Sequence, residues 1–204
     1  MVDIGANVGW YSFTLGKAGY EIISFEASHN NAYILKKNFC YNKDINITII
    51  NKGIGLEEKK CILHHPSNNV GNGVILCGEN ENLAKINKGL VEDISFTKLS
   101  NYISYLSKKN VALLKIDVEG SEGKVINSGI ELITKYHVPF LFIEFRKDYL
   151  KMQETDPKLL LEIFVNNGYF LSSQSFFCNR YSSIEEILSS YSNDLYIVYS
   201  KILE

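Results

Sequence analysis

Two short stretches carry the residue types that chemistry needs. KIDVEGSEG, residues 115–123, places Asp117, Glu119 and Glu122 within six positions. On a strand Asp117 and Glu119 point to the same side. If the strand stops at Asp117, all three line a rim instead. Crowded carboxylates raise one another's pKa, which suits a general base, and they can also bind a cation. Glu119 and Glu122 equally suit the start of a following helix, where acidic side chains complement the helix dipole. VDIGANVGWYSF, residues 2–13, places Gly5 and Gly9 between an apolar run and a helical pattern. Glycines there let the backbone turn and come close to a ligand.

A glycine loop of this kind is either a ligand cradle or a plain turn, and two familiar cradles are excluded. The dinucleotide pattern G-x-G-x-x-G read from Gly5 needs glycines at Asn7 and Trp10. The phosphate loop ending at Gly16 and Lys17 needs glycine at Tyr11 and Ser or Thr at Ala18. Glu26 ends an apolar run near the roughly 20-residue spacing at which an acid meets a ribose diol. Asn51, in NKGIG, falls where an adenine could lie. Glu144 closes the apolar run PFLFIEF, where a carboxylate is costly unless it faces a polar cleft. Trp10 and Tyr11 are expected to pack the first helix rather than bind a ligand. His29, His64, His65 and His137 show no metal spacing and are assigned structural or surface places, so no metal site is assigned.

Elements that position these residues follow from the hydrophobic pattern. Residues 2–4 are expected to be the end of a strand, and further strands are expected over 22–27, 47–55, 111–120 (running into a glycine turn), 139–145, 169–173 and 194–200. Helices are expected over 8–17, 30–42, 96–109, 121–136 and 157–167. Asp156 before Pro157 reads as an N-cap with proline at the first helical position. Residues 57–97 form an irregular excursion with short strand candidates KKCILHH and GVILC around the polar run PSNNVGNG. Alternating strands and helices imply a doubly wound α/β sheet, which binds ligands beyond the C-terminal ends of its strands.

The 204 residues fit a single domain, 1–204. Hydrophobic residues make up 46% and charged residues 22%, ordinary for a globular chain. The formal net charge of -2 gives no general attraction to nucleic acid or an anionic membrane. Cys40, Cys61, Cys77 and Cys178 form no C-x-x-C pair. Their scatter suits a reducing compartment, so a cytoplasmic protein with no membrane partner is expected.

Taken together, DIGANVG, FEA at 25–27, NKGIG and LLKIDVEGSE resemble the FkbM family of S-adenosylmethionine-dependent methyltransferases. The resemblance spans residue 2 to about residue 145. It implies the Rossmann-like class I methyltransferase fold, a mostly parallel sheet with an antiparallel last strand. It implies S-adenosyl-L-methionine as cofactor and O-methylation of a sugar, glycan or natural-product acceptor. On this resemblance Asp3, Gly5, Asn7 and Gly9 match the cofactor loop, and Glu26 matches the acid that holds the ribose hydroxyls. Asn51 to Ile54 match the adenine-side loop, and Asp117 and Glu119 the acidic motif near the methyl group. Asp117 is the first candidate for the base, followed by Glu119 and Glu122.

A D/N-P-P-Y motif of base amino-methylation is absent, since that place reads DVEG. The three prolines precede Ser67, Phe140 and Lys158, so no Pro-Cys nucleophile exists. Nucleic acid is therefore not the expected substrate. A central strand of about five or six residues would begin before Asp3. A preceding segment that completes the strand and closes the pocket is accordingly expected. A non-catalytic cofactor-binding or scaffolding module of the same fold is the alternative function, and a nicotinamide-dependent oxidoreductase a weaker third.

Overall fold

A computed structural model describes residues 1–66, 74–78, 89–191 and 193–203. Seven strands form the main sheet: β1 (Val2–Ile4), β2 (Ile22–Phe25), β3 (Ile47–Ile50), β8 (Leu113–Ile116), β9 (Phe140–Glu144), β10 (Tyr169–Ser172) and β11 (Asp194–Tyr199). Their order is β10-β11-β9-β8-β1-β2-β3. The pairs β1–β2, β2–β3, β1–β8 and β8–β9 are parallel, and β11 runs antiparallel to both neighbours. This is the expected Rossmann-like sheet with an antiparallel last strand. Its strand order reverses between β1 and β8, which opens a crevice at their C-terminal ends.

The pleat gives the two sheet faces different chemistry. Val2, Ile4, Phe25, Leu114, Ile116, Leu141, Ile143 and Leu195 belong to one buried apolar cluster. Helices α3 (Ile103–Leu106), α4 (Glu122–Ser128), α5 (Glu131–Thr134) and α7 (Pro157–Asn166) add Leu106, Val125, Ile126, Leu132, Leu161 and Phe164 to it. Each such side chain contributes about 1.5–3 kcal/mol through burial. The opposite face carries Ser24, Asp3, Lys115, Phe142 and Tyr196 in one row, as the strand registers require. Helix α1 (Trp10–Lys17) lies over that row, since Ser12 hydrogen-bonds Asp3 and Ser24 and Tyr11 meets Phe142. Helix α2 (His29–Cys40) seats Leu35 and Phe39 against Ile47 and Ile49.

The excursion is a second sheet. β4 (Gly53–Ile54), β5 (Lys59–Pro66), β6 (Val74–Leu76) and β7 (Gly89–Thr97) order as β4-β7-β5-β6. The expected strand over 47–55 thus divides: β3 stays in the main sheet, and Gly53–Ile54 pair with Phe96–Thr97 instead. β7 occupies positions for which the sequence suggested no strand. Most of the polar run PSNNVGNG lies outside the described residues. Cys61 and Cys77 form a disulfide, although their spacing showed no pair and the cysteines suggested a reducing compartment.

Expected helices also divide. Residues 99–109 combine two 3-10 turns with α3, and 121–136 breaks into α4 and α5 around Gly129. Helices α6 (Lys147–Met152) and α8 (Ile184–Ser189) were not anticipated. The Asp156 cap is present: its carboxylate accepts from the Lys158 and Leu159 N–H groups. Asp156→Ala is expected to lower stability by about 1 kcal/mol, read as a lower urea midpoint with an unchanged slope.

Candidate active site

The registers that build the sheet also build the site. Ile4 lies beside Phe25 and Ile116, Ile50 beside Phe25, and Ile116 beside Ile143. One residue further along each strand, Asn51, Glu26, Gly5, Asp117 and Glu144 therefore stand in a row at the C-terminal edge. Asp194 of β11 is the register partner of Glu144 and extends the row. Backbone hydrogen bonds continue the ladder into it: Gly5 N–H donates to Phe25 O, Glu26 N–H to Ile50 O and Asp117 N–H to Ile4 O. Four of these six residues are acids.

Lys115 occupies the row beneath. Its ammonium donates to the Gly5 carbonyl at 2.6 Å and lies 3.2 Å from Asp3 Oδ1 and 3.6 Å from Asp117 Oδ2. Lys115 is 2% exposed and Asp3 is fully buried. Buried charges persist only when they are paired and hydrogen-bonded. Asp3 Oδ2 accepts from Ser12 Oγ at 2.6 Å, and Ser12 Oγ meets Ser24 Oγ at 2.8 Å. The Tyr11 ring lies over the ammonium, 5.5 Å from Nζ to the ring centre.

Above this pair lies a cavity of about 330 Å³. The loop after β1 forms its floor. Gly5 has φ +77°, and a Cβ there would come within 1.9 Å of the Asp117 carbonyl oxygen, so only glycine lets β1 and β8 approach this closely. Asn7 is also left-handed, with φ 52°. Its N–H donates to Glu26 Oε2 at 2.7 Å, while Ser28 N–H donates to Oε1 at 2.9 Å. Burial pushes the Glu26 carboxyl up, and these two N–H groups pull it back. Apolar walls come from Ile54, Leu63, Ile75 and Phe96, all in the second sheet. Glu92 of β7 clamps that sheet to the start of α2 through Ser28 Oγ and Asn30 Nδ2.

Carboxylates crowd the other end. Single oxygens of Asp117, Glu119 and Glu144 lie within 4.8 Å of one another, close enough to repel one another or to surround a cation. Glu119 has φ 53°, an uncommon conformation for a residue with a side chain. Burial raises the Glu119 carboxyl, followed by repulsion from Asp117. Glu144 is pushed up to about 7, first by burial, then by Asp117, Glu119 and Glu122, with Arg146 opposing. Its Oε2 is buried without a hydrogen-bond partner among the described residues. Burial and then Asp117 also raise Asp194.

Gly5, Asn7, Glu26, Ile54, Asp117 and Glu119, all singled out from the sequence, line the one cavity. Four other candidates stand behind its wall. Asp3 is sealed beneath α1 against Lys115. Gly9 turns into α1 with φ 98°, close against Leu35. Asn51 donates its amide to the Glu26, Ala27 and Ser28 carbonyls and bonds His29 through its oxygen. Glu122 is 1% exposed and accepts from the Val118 and Gly120 N–H groups, the capping alternative. Trp10 and Tyr11 depart from expectation, since both line the cavity and Trp10 is 78% exposed. Lys115 was missed. The available signal was a lysine inside the apolar strand LLKI, a position that demands a buried partner.

Comparison with known proteins agrees with the fold. The Methyltransferase FkbM domain profile matches residues 3–171. The crystal structure of the methyltransferase FkbM from Methylobacillus flagellatus KT superposes with a TM-score of 0.57 at 18% identity. It covers 98% of this chain and 43% of its own. Monomeric WbdD superposes with a TM-score of 0.50 at 14% identity, covering 98% of this chain and 35% of its own. The chain thus spans less than half the length of either structure. No curated protein matches. Among the described residues no helix is long and apolar enough to cross a membrane.

Lys115→Met is expected to destabilise the fold by about 3–5 kcal/mol, because it leaves Asp3 buried without its countercharge. Urea denaturation checks this. Glu144 adds a pH dependence. Its carboxyl is raised from 4.5 to about 7 in the folded chain, so the stability it contributes is complete below its unfolded value and is lost as pH rises through about 7. Thermal melting across that window is expected to show a decline in the native chain that Glu144→Gln flattens.

Proposed function

The chain belongs to the methyltransferase FkbM family, and from that premise we propose that it is an S-adenosylmethionine-dependent O-methyltransferase acting on a hydroxyl of a sugar, glycan or natural-product acceptor. The observation that carries the reading is the row Glu26, Gly5 and Asp117 along one cavity at the switch point of the sheet, with Glu144 next in the row beyond the cavity lining.

The residues present fit the cofactor. Each Glu26 oxygen accepts one backbone N–H and keeps lone-pair capacity for a ribose hydroxyl. Ile54, Leu63 and Phe96 offer an apolar slot for adenine beside them. Asn51 supports that end by fixing the turn that carries Glu26. Asp117 and Glu119 offer negative charge where a sulfonium would lie. When bound, the cofactor supplies a methyl group on positively charged sulfur. The protein's part is to hold an acceptor hydroxyl in line with that methyl and to remove its proton as the bond forms. Asp117 and Glu119 are candidates for the base, and Glu122 braces the turn that presents them.

We place the protein in the cytoplasm, acting on a small-molecule or glycan acceptor with neither nucleic acid nor membrane as partner. That compartment is drawn from the scatter of the cysteines, and the Cys61–Cys77 pair argues against it. Alkylating free thiols in freshly lysed cells decides the matter: the reading requires Cys61 and Cys77 to be reduced there.

Calorimetric titration with S-adenosylhomocysteine tests the cofactor assignment. The intact chain is expected to bind with micromolar affinity. Glu26→Ala should weaken binding about a hundredfold, the worth of two hydrogen bonds to a charged acceptor. A folded chain that does not bind, or a variant that binds equally well, contradicts the assignment.

A further inference from the structure

We propose that Glu144, at the end of β9, is the carboxylate that takes the acceptor's proton, while Asp117 and Glu119 hold the positive charge of the cofactor. The inference rests on the methyltransferase reading above and changes which acid acts as base.

The argument is a division of labour among neighbouring carboxylates. Asp117 is held by the Lys115 ammonium at 3.6 Å, and Lys115 is fixed in turn by Asp3 and the Gly5 carbonyl. Glu122 has one oxygen engaged by two backbone N–H groups and lies buried below the rim. Glu119 sits on a turn, in a left-handed conformation. Glu144 differs from all three. It is anchored in a strand between β8 and β11. Its Oε2 has no hydrogen-bond partner among the described residues, which is also true of Glu122 Oε2, but the other Glu122 oxygen is fixed by two backbone N–H groups. Its carboxylate lies within 4.8 Å of both cavity-lining acids, so charge on it is felt in the cavity.

The groups facing Glu144 come from every neighbouring element. They are Asp117 and Glu119 after β8, Glu122 on α4, Arg146 just beyond its own strand and, as its register partner, Asp194 on β11; Lys115 lies in the row beneath, against Asp117. Burial acts first on this carboxyl, and the acids, which outnumber the cations there, add to it. The result is a carboxyl pushed up to about 7, ionised often enough to be available and basic enough to accept a proton.

The step balances. The acceptor oxygen bonds to the methyl carbon as the carbon–sulfur bond breaks. The breaking bond's electron pair stays on sulfur, leaving a neutral thioether. The hydroxyl proton passes to Glu144, which becomes a neutral acid and later releases the proton to water.

S-adenosylmethionine carries a sulfonium charge that S-adenosylhomocysteine lacks, so the pair of ligands reads the ionisation of Glu144 without any acceptor. Both are titrated by calorimetry into the native chain and Glu144→Gln at about pH 6, 7 and 8, and at pH 7 in two buffers of different ionisation enthalpy. In the native chain the methionine-to-homocysteine affinity ratio is expected to rise about fivefold from pH 6 to 8. Proton release should accompany the sulfonium ligand alone. In Glu144→Gln the ratio should be flat. If the homocysteine ligand binds but the native ratio does not change with pH, or changes equally in the variant, Glu144 is not at the reacting centre. If Glu144→Gln does not fold, the two-buffer measurement on the native chain decides, and absence of ligand-specific proton release overturns the proposal. Failure of both ligands to bind the folded native chain defeats the methyltransferase reading itself.

Discussion

One buried ammonium organises this molecule. Lys115 reaches from the middle of the sheet to the Gly5 carbonyl, Asp3 and Asp117, and so ties the ends of β1 and β8 together where the strand order reverses. Without that cation, Asp3 would be an uncompensated charge beneath α1, and Asp117 would lose its nearest counterion. The close approach of Gly5 to Asp117 depends on the same tie, since the two backbones meet at a distance that excludes any side chain at Gly5. The cavity floor, the glycine loop and the acidic rim are consequences of one interaction set by sheet register.

The cation also explains how so many acids tolerate one another. Burial raises Glu26 although two backbone N–H groups oppose it, and Asp117 is paired with Lys115, while Glu119, Glu144 and Asp194 are raised by burial and then by neighbouring carboxylates. The row is therefore graded. At the Glu26 end, hydrogen bonds stabilise the charged form. At the Glu144 end, repulsion and burial favour the neutral form. Such a gradient separates holding a ligand from moving a proton, using a single type of side chain.

Much of this was legible in the sequence. The apolar strands and the spacing from Gly5 to Glu26 gave the parallel sheet and its switch point, and KIDVEGSE located the acidic rim. What failed has local physical causes. The strand expected to run to Gly55 stops at Ile50, because Asn51 turns its amide onto the Glu26–Ser28 carbonyls and the following residues pair with another sheet. β7 was hidden because Glu92 and Asp93 interrupt its apolar alternation. Helix α8 carried a readable capping signal: Ser183 accepts from Glu186 N–H, while Glu186 accepts from Ser182. Trp10 and Tyr11 look like core residues by type, and only the position of the cavity shows that they border it. Asp3 and Glu122 match a family motif, but burial gives them supporting places that motif spacing alone does not distinguish from contact.

The central claim is that the row from Glu26 to Glu144 is a binding edge for a sulfonium nucleoside. A crystal structure of the chain with S-adenosylhomocysteine tests it most directly. The account requires the ribose hydroxyls on Glu26, adenine against Ile54 and Phe96, and sulfur facing Asp117 and Glu119. A ligand bound elsewhere, or bound in the cavity with its ribose away from Glu26, would contradict it.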